Sequence, residues 1–168
     1  MKKELFFFLI LIGFFSCKDR SNIKNLKSEP LNYIELSSFV NDSLPKFITI
    51  DKKYFEILDS WESKSIIEST SLIVSKDPKT LPFFFESLKL ELDKVEVEKI
   101  PYKLKVPQII GRFRVYKTEV YKINEIVLNQ NNIKLFKENL ISLAISYNAL
   151  INMINITSKD ILEKNTKE

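Results

Sequence analysis

Histidine is absent from this chain of 168 residues, cysteine and tryptophan occur once each, and glycine only twice. Without histidine, the usual general base near neutral pH and the commonest transition-metal ligand are missing. Phosphate-cradling loops, nucleophile elbows and dinucleotide-binding turns need glycine where the backbone comes close or turns left-handed. Beyond Gly13, only Gly111 is left to supply it, and none of these motifs can be written. Carboxylate pairs, or a serine with a lysine base, would still allow hydrolysis. Ser-x-x-Lys occurs at Ser21 to Lys24 and Ser43 to Lys46, but neither pair opens a helix and the glycine-bearing partner motifs are missing. Glu91, Asp93, Glu96 and Glu98 alternate with Lys94, Lys99 and apolar residues, the pattern of a solvated helix end. No enzyme activity, no metal and no cofactor is expected.

Charge is equally uninformative about nucleic acid. Twenty-six basic residues are interspersed with twenty-two acidic ones, giving a net charge of +4. No basic stripe is gathered, so no nucleic-acid partner is expected.

What is present is concentrated at the start, MKKELFFFLILIGFFSC. Lys2 and Lys3 form a positive leader, Leu5 to Phe15 an apolar run, Ser16 a small residue, and Cys17 is the only thiol. The run is too short for a membrane span, which takes about twenty residues, and Asp19 and Arg20 close it. A plain secretory signal would leave Cys17 as an unpaired thiol with no second cysteine to bond.

The arrangement resembles a bacterial lipoprotein signal, with Phe14, Phe15 and Ser16 before the cysteine. That resemblance implies cleavage after residue 16, and acylation of Cys17 by a thioether-linked diacylglycerol and an amide-linked chain such as palmitate. Each buried methylene contributes about 0.8 kcal/mol, so several chains make a stable membrane anchor. Lys18 and Asp19 resemble the surface-export signal of lipoproteins in Bacteroidota, although one acid is fewer than usual. The expected location is therefore the cell envelope, lipid-anchored at the outer membrane on its periplasmic or outer face. Cleavage leaves 152 residues, about one domain with one core, and removal of Lys2, Lys3 and Glu4 lowers the net charge to +3.

Behind a flexible tether at 17–30, the chain reads as an arm at 31–50, a four-helix domain at 51–158 and a tail at 159–168. Tyr33, Leu36, Phe39 and Val40 suggest a short helix in the arm before Pro45. Tyr54, Leu58 and Trp61 open a first helix running to about Lys76, ended by Asp77 and Pro78. Its stripe is imperfect, with Ser65 and Ser69 at core positions and Ile66 and Ile73 on an adjacent face. Thr80 caps a second, with Pro82 in its first turn and Phe85, Leu88, Leu92 and Val95 inward.

Ile109, Phe113, Tyr116, Val120, Ile123 and Val127 alternate by four and three, which predicts a third helix over 106–129. Ile133, Phe136, Leu140, Leu143, Tyr147, Leu150 and Ile154 do the same for a fourth, widened by Ile141, Ala144 and Ile151. Asn129 to Asn132 form the turn between them. The expected architecture is all-α, an up-down-up-down four-helix bundle. One glycine in the mature chain leaves hairpins hard to close, which disfavours a β-rich fold.

Three surface features stand out. Phe83, Phe84 and Phe85 cover about 200° of a helix, so at least one must lie outside the core, packed on the arm or the crossover loop or, alternatively, exposed for a partner or lipid; Phe83 and Phe84, with Arg112 and Arg114, are the candidate interaction residues. Arg112 and Arg114, the only arginines after the tether, lie on nearly opposite sides of the third helix; pairing of Arg112 with an acid of a neighbouring helix is the expected role. Gly111 beside them would let another element approach closely. Asp42-Ser43-Leu44 fits the short pattern glycosylated at its hydroxyl in Bacteroidota envelope proteins.

The segment Val106 to Thr118 resembles a proline, arginine and threonine helix pattern in small helical Bacteroidota lipoproteins whose role is not established. It implies the helical fold and no activity. Together these readings point to a membrane-anchored, non-catalytic adaptor that binds another envelope protein. The alternative is a binding module for an apolar small molecule or lipid held between the helices.

Overall fold

The computed structural model describes residues 30–61 and 63–166. The expected signal segment, Cys17 and the tether up to residue 29 lie outside the described residues. Among the described residues there are helices and turns but no strand, so the chain is all-α as expected. The α-helices in chain order are α1 (Tyr33–Ser38), α2 (Phe55–Leu58), α3 (Lys64–Ser69), α4 (Leu81–Asp93), α5 (Pro107–Asn124) and α6 (Ile133–Asn165).

The longest helices form where the alternation of three and four is strictest. In α5, Ile109, Phe113, Tyr116, Val120 and Ile123 are all buried. Val106 is extended before Pro107 at the first helical position, where the missing amide proton is harmless. The helix stops at Asn124, short of the expected Asn129, and Val127 is 75% exposed rather than in the stripe. Asparagine side chains take over there: Asn131 N and Asn132 N donate to Asn129 Oδ1, while the Asn129 and Asn132 amides donate to Val127 O. Such local bonds compete with the helical ladder.

In α6 the predicted core positions from Ile133 to Ile154 are buried, except Ile141, which is half-buried and packs against the core. The helix does not give way to a tail at residue 159 but runs to Asn165. Ser158, Ile161 and Leu162 prolong its inner stripe; Ser158 is fully buried, and Ile161 and Leu162 pack on the core.

The second expected helix is α4, with Leu81, Phe85, Leu88 and Leu92 inward. Thr80 does not cap it through its side chain, which donates back to Asp77 O at 2.8 Å. Asp77 is the capping side chain, accepting from Lys79 N at 2.9 Å at the head of a 3₁₀ turn, Pro78–Thr80.

Lys117 Nζ of α5 donates to Leu92 O at the end of α4 at 2.8 Å. Two groups of ring contacts join the helices: Phe84, Phe85 and Phe136 between α4 and α6, with centroids 5.4 and 6.0 Å apart, and Phe113, Tyr116 and Tyr147 between α5 and α6, with centroids 6.3 and 6.1 Å apart.

The expected continuous helix over residues 54–76 is broken. A 3₁₀ turn at Lys52–Tyr54 leads into α2, the chain turns through Asp59–Ser60, and α3 tightens into a 3₁₀ helix at Thr70–Ser75. The cause is the spacing of the residues that reach the core. Leu58, Trp61, Ile67, Thr70 and Ile73 are buried, all separated by multiples of three. An α-helix rotates such a row off its inner face by about 60° per step, whereas a 3₁₀ helix keeps it aligned. Ile67, not Ile66, is the inward residue, and Ser65 and Ser69 are not core positions.

The arm packs on the helices as expected. After α1 and a π turn, Phe39–Ser43, the chain lies extended along α6. Asn148 Oδ1 accepts from Ile48 N at 2.9 Å and its amide donates to Lys46 O at 2.8 Å. Asn155 repeats this with Asp51 N at 3.0 Å and Thr49 O at 3.1 Å.

Candidate functional site

The outward face of α4 carries the clearest unpartnered apolar surface. Phe83 is 72% exposed and Leu90, two turns on, 55% exposed, both opposite the buried row Leu81, Phe85, Leu88 and Leu92. The three consecutive phenylalanines divide as the helix geometry requires. Phe85 is in the core, Phe84 is half-buried with its edge on the Phe85 ring at 5.4 Å and Lys76 Nζ 5.6 Å from its own ring, and Phe83 faces solvent.

Arg112 and Arg114 are exposed on α5. Neither makes an ion pair among the described residues, so the expected pairing of Arg112 with an acid of a neighbouring helix is not found. Gly111 is exposed as well, and a Cβ added to it would meet nothing within 4 Å. The expected close approach is absent because the glycine lies on the outer side of α5, away from Ile109 and Phe113. Phe83 stands at the N-terminal end of α4 and Arg112 and Arg114 toward the N-terminal end of α5, and among the described residues no contact joins them, so the candidate interaction residues do not form one site.

At the C-terminal end of α4, Asp93 collects a polar cluster. Tyr121 Oη donates to Asp93 Oδ1, Lys89 Nζ lies 3.5 Å from Oδ2 and Lys117 Nζ 3.9 Å from Oδ1. The Tyr121 bond, helped by the two lysines, holds the Asp93 carboxyl below the usual carboxylate range. Burial, reinforced by that carboxylate, pushes the Tyr121 phenol up to about 12. Both lysines also flank the Tyr121 ring at 5.4 Å. The groups satisfy one another, which makes the cluster a tie between α4 and α5 rather than a poised acid or base.

A surface groove of about 590 Å³ is bordered by Thr49, Ile50, Asp51, Lys52, Phe55 and Glu68. Asp51 is committed elsewhere, bonded to Lys53 Nζ at 2.8 Å and to Lys53 N at 3.2 Å, and these bonds lower its pKa. Lys64 Nζ stands 3.4 Å from the centre of the Phe55 ring. Among the described residues, no three His, Cys, Asp or Glu side chains come together in a way that could hold a metal ion. The acids at 91–98 form the expected surface, with Lys94 at 2.7 Å from Glu91 and Lys99 at 3.4 Å from Glu96. Asp42 and Ser43 of the short glycosylation pattern are exposed at the end of the π turn.

Two arrangements were missed by sequence reasoning. Thr70 Oγ1 and Tyr116 Oη lie 2.5 Å apart with both residues fully buried, joining the 3₁₀ helix to α5. The other is the pair Asn148 and Asn155, whose interval of seven was the available signal. No protein family, curated protein or solved structure matches this chain.

Proposed function

We propose that this chain is a lipid-anchored protein of the cell envelope whose helical domain serves as a non-catalytic interaction module for another envelope protein. Cys17 carries the anchor, and residues 17–30 tether the domain. The segmented stretch over 52–75 takes the part of the first helix in an up-down-up-down arrangement completed by α4, α5 and α6. The observation that carries the reading is the outer face of α4, where Phe83 and Leu90 present apolar surface two turns apart with no partner among the described residues. Isolated exposed apolar residues are ordinary, but two aligned large ones on one helix make an anchor for a complementary groove.

Held against the alternative of an apolar ligand between the helices, the adaptor reading is better supported. Phe85, Phe113 and Phe136, the phenylalanines that could line an internal site, are each 1% exposed and packed on one another or on tyrosine.

The test has two parts. Mass spectrometry of the mature N-terminus is expected to find Cys17 acylated; an unmodified thiol refutes the anchor. Photo-crosslinking from position 83 in intact cells is expected to capture one protein species, lost on Leu90→Asp. Capture that is diffuse, or unaffected by that substitution, refutes the interaction face.

A further inference from the structure

Between Glu138 and Lys159, helix α6 carries no charged side chain for twenty residues, in a chain that is 29% charged. Burial explains only one side of it. Ser142, Ile145, Asn152 and Ile156 are exposed, Ile145 by 58% and Ile156 by 45%, and Ala149 is half-buried. They lie on two tracks repeating every seven residues: Glu138, Ile145, Asn152 and Lys159, and, four positions on, Ser142, Ala149, Ile156 and Glu163. Such tracks form the seam along which one helix packs on another. The seam points away from the core residues Leu140, Tyr147, Leu150 and Ile154.

By length and composition α6 is also the one described helix apolar enough to cross a membrane. Its inner side, however, is filled by α5 and the arm, so only the narrow outer seam is left to be covered.

The charges bounding the seam say what covers it. Lys134 and Glu138 stand at one end and Lys159 and Glu163 at the other, each pair joined across one turn at 4.0 and 3.6 Å. All four are exposed, from 58% to 89% by side chain. Taken about the midpoint between Asn148 and Ala149, Lys134 and Glu163 are equidistant, and so are Glu138 and Lys159. A second α6 laid antiparallel therefore sets each lysine at the level of a glutamate, and Ile145 and Ile156 of both copies between them. A parallel copy sets lysine on lysine and glutamate on glutamate.

We infer that the outer seam of α6 is a homodimer interface, two copies of this chain packing antiparallel about a two-fold axis that passes beside Ala149. The contact is isologous, since each protomer offers the same patch. Small side chains at Ser142 and Ala149 let the helices come close, and Asn152 selects the register as buried asparagines do in helical seams.

The test is disulfide crosslinking of the full chain in detergent. Ala149→Cys places a thiol beside the axis, and Val115→Cys, on the exposed side of α5, is the control of comparable access. The expected result is a covalent dimer that forms at least about tenfold faster from position 149 than from 115. In the Ala149→Cys chain, K159E with E163K keeps the contact within each helix but opposes like charges across the axis. It is expected to slow crosslinking about tenfold, four exposed pairs being altered. Adding K134E and E138K restores complementarity and is expected to bring the rate back.

Circular dichroism matching the unaltered chain shows that these surface variants fold. Equal rates from 149 and 115, no loss on reversal, no recovery on double reversal, or a product of another mass each overturns the proposal.

Discussion

Asn148 and Asn155 stand two turns apart on α6, and each grips the extended arm with both ends of its amide, accepting from an N–H and donating to the carbonyl two residues earlier. The arm contacts are three residues apart, at Ile48 and Asp51. Seven helical residues rise about 10.5 Å and three extended ones about 10 Å, so the two repeats stay in step. The side-chain amides thereby act as two peptide groups of a neighbouring strand in a protein that has no strand among its described residues.

Replacing Asn148 or Asn155 by alanine is expected to destabilise the fold by about 1 kcal/mol each, since the backbone groups released are near water and recover part of their bonding. Urea denaturation followed by the fluorescence of Trp61, the only tryptophan and 2% exposed, measures this. Amide hydrogen exchange gives the sharper readout, with protection lost at Ile48 for the first variant and at Asp51 for the second. Exchange unchanged at both amides would show that the clamp does not hold the arm.

How far the chain can be read from sequence varies with the periodicity of each segment. Helices α5 and α6 were legible because each carries an unbroken row of apolar residues at alternating intervals of three and four, whatever lies on its outer side. The stretch from Leu58 to Ile73 was not, because its inward residues keep a period of three while its composition suits an α-helix, and tertiary burial decided between them. The division of Phe83, Phe84 and Phe85 was legible as geometry, but which of them faces out depended on the register of α4. Polar residues misled most. Thr70, Asn148 and Asn155 carried no signal in a single sequence, since nothing local reveals a partner 46 to about 106 residues away. Arg112 misled in the other direction, its preference over lysine suggesting a pair that the fold does not supply.

Tyr116→Phe removes one side of the bond to Thr70 and leaves Thr70 Oγ1 buried with no other partner. The expected loss is about 1–3 kcal/mol, larger than for the half-buried asparagines because water cannot reach the orphaned hydroxyl. Thr70→Val in the same chain removes the orphan. The double variant is expected to be more stable than the sum of the two single losses by about 1 kcal/mol or more, seen by thermal denaturation of all four chains. Strict additivity would mean that the two hydroxyls do not interact.

Stability is expected to fall at both extremes of pH. At the acid end, the Lys137 bond lowers the Glu35 carboxyl and the Tyr121 bond lowers that of Asp93. Groups lowered in the folded state stabilise it fully above their unfolded value, about 4, and that stability is lost as pH falls through the folded values. At the alkaline end, burial pushes Tyr147 up to about 12, with the charge of Glu68 acting in the same sense, and burial raises Tyr116 further. The neutral phenol is the favoured folded form, so its stability is complete below about 10 and lost as pH rises toward 12. Trp61 fluorescence across pH should show a plateau between these limbs. Tyr147→Phe is expected to weaken the alkaline limb and leave the acid one unchanged.

Gly111→Ala is expected to stabilise the protein by about 0.5–1 kcal/mol. The glycine is the fifth residue of α5, in right-handed helical backbone, and alanine restricts the unfolded chain while fitting the folded one. No atom stands within 4 Å of the added methyl to offset the gain. A higher urea midpoint with an unchanged slope is the expected signature, because the surface exposed on unfolding stays the same. A lower midpoint would mean that Gly111 contacts something beyond the described residues, and the tether or a partner docked on the outer side of α5 would then be the first place to look.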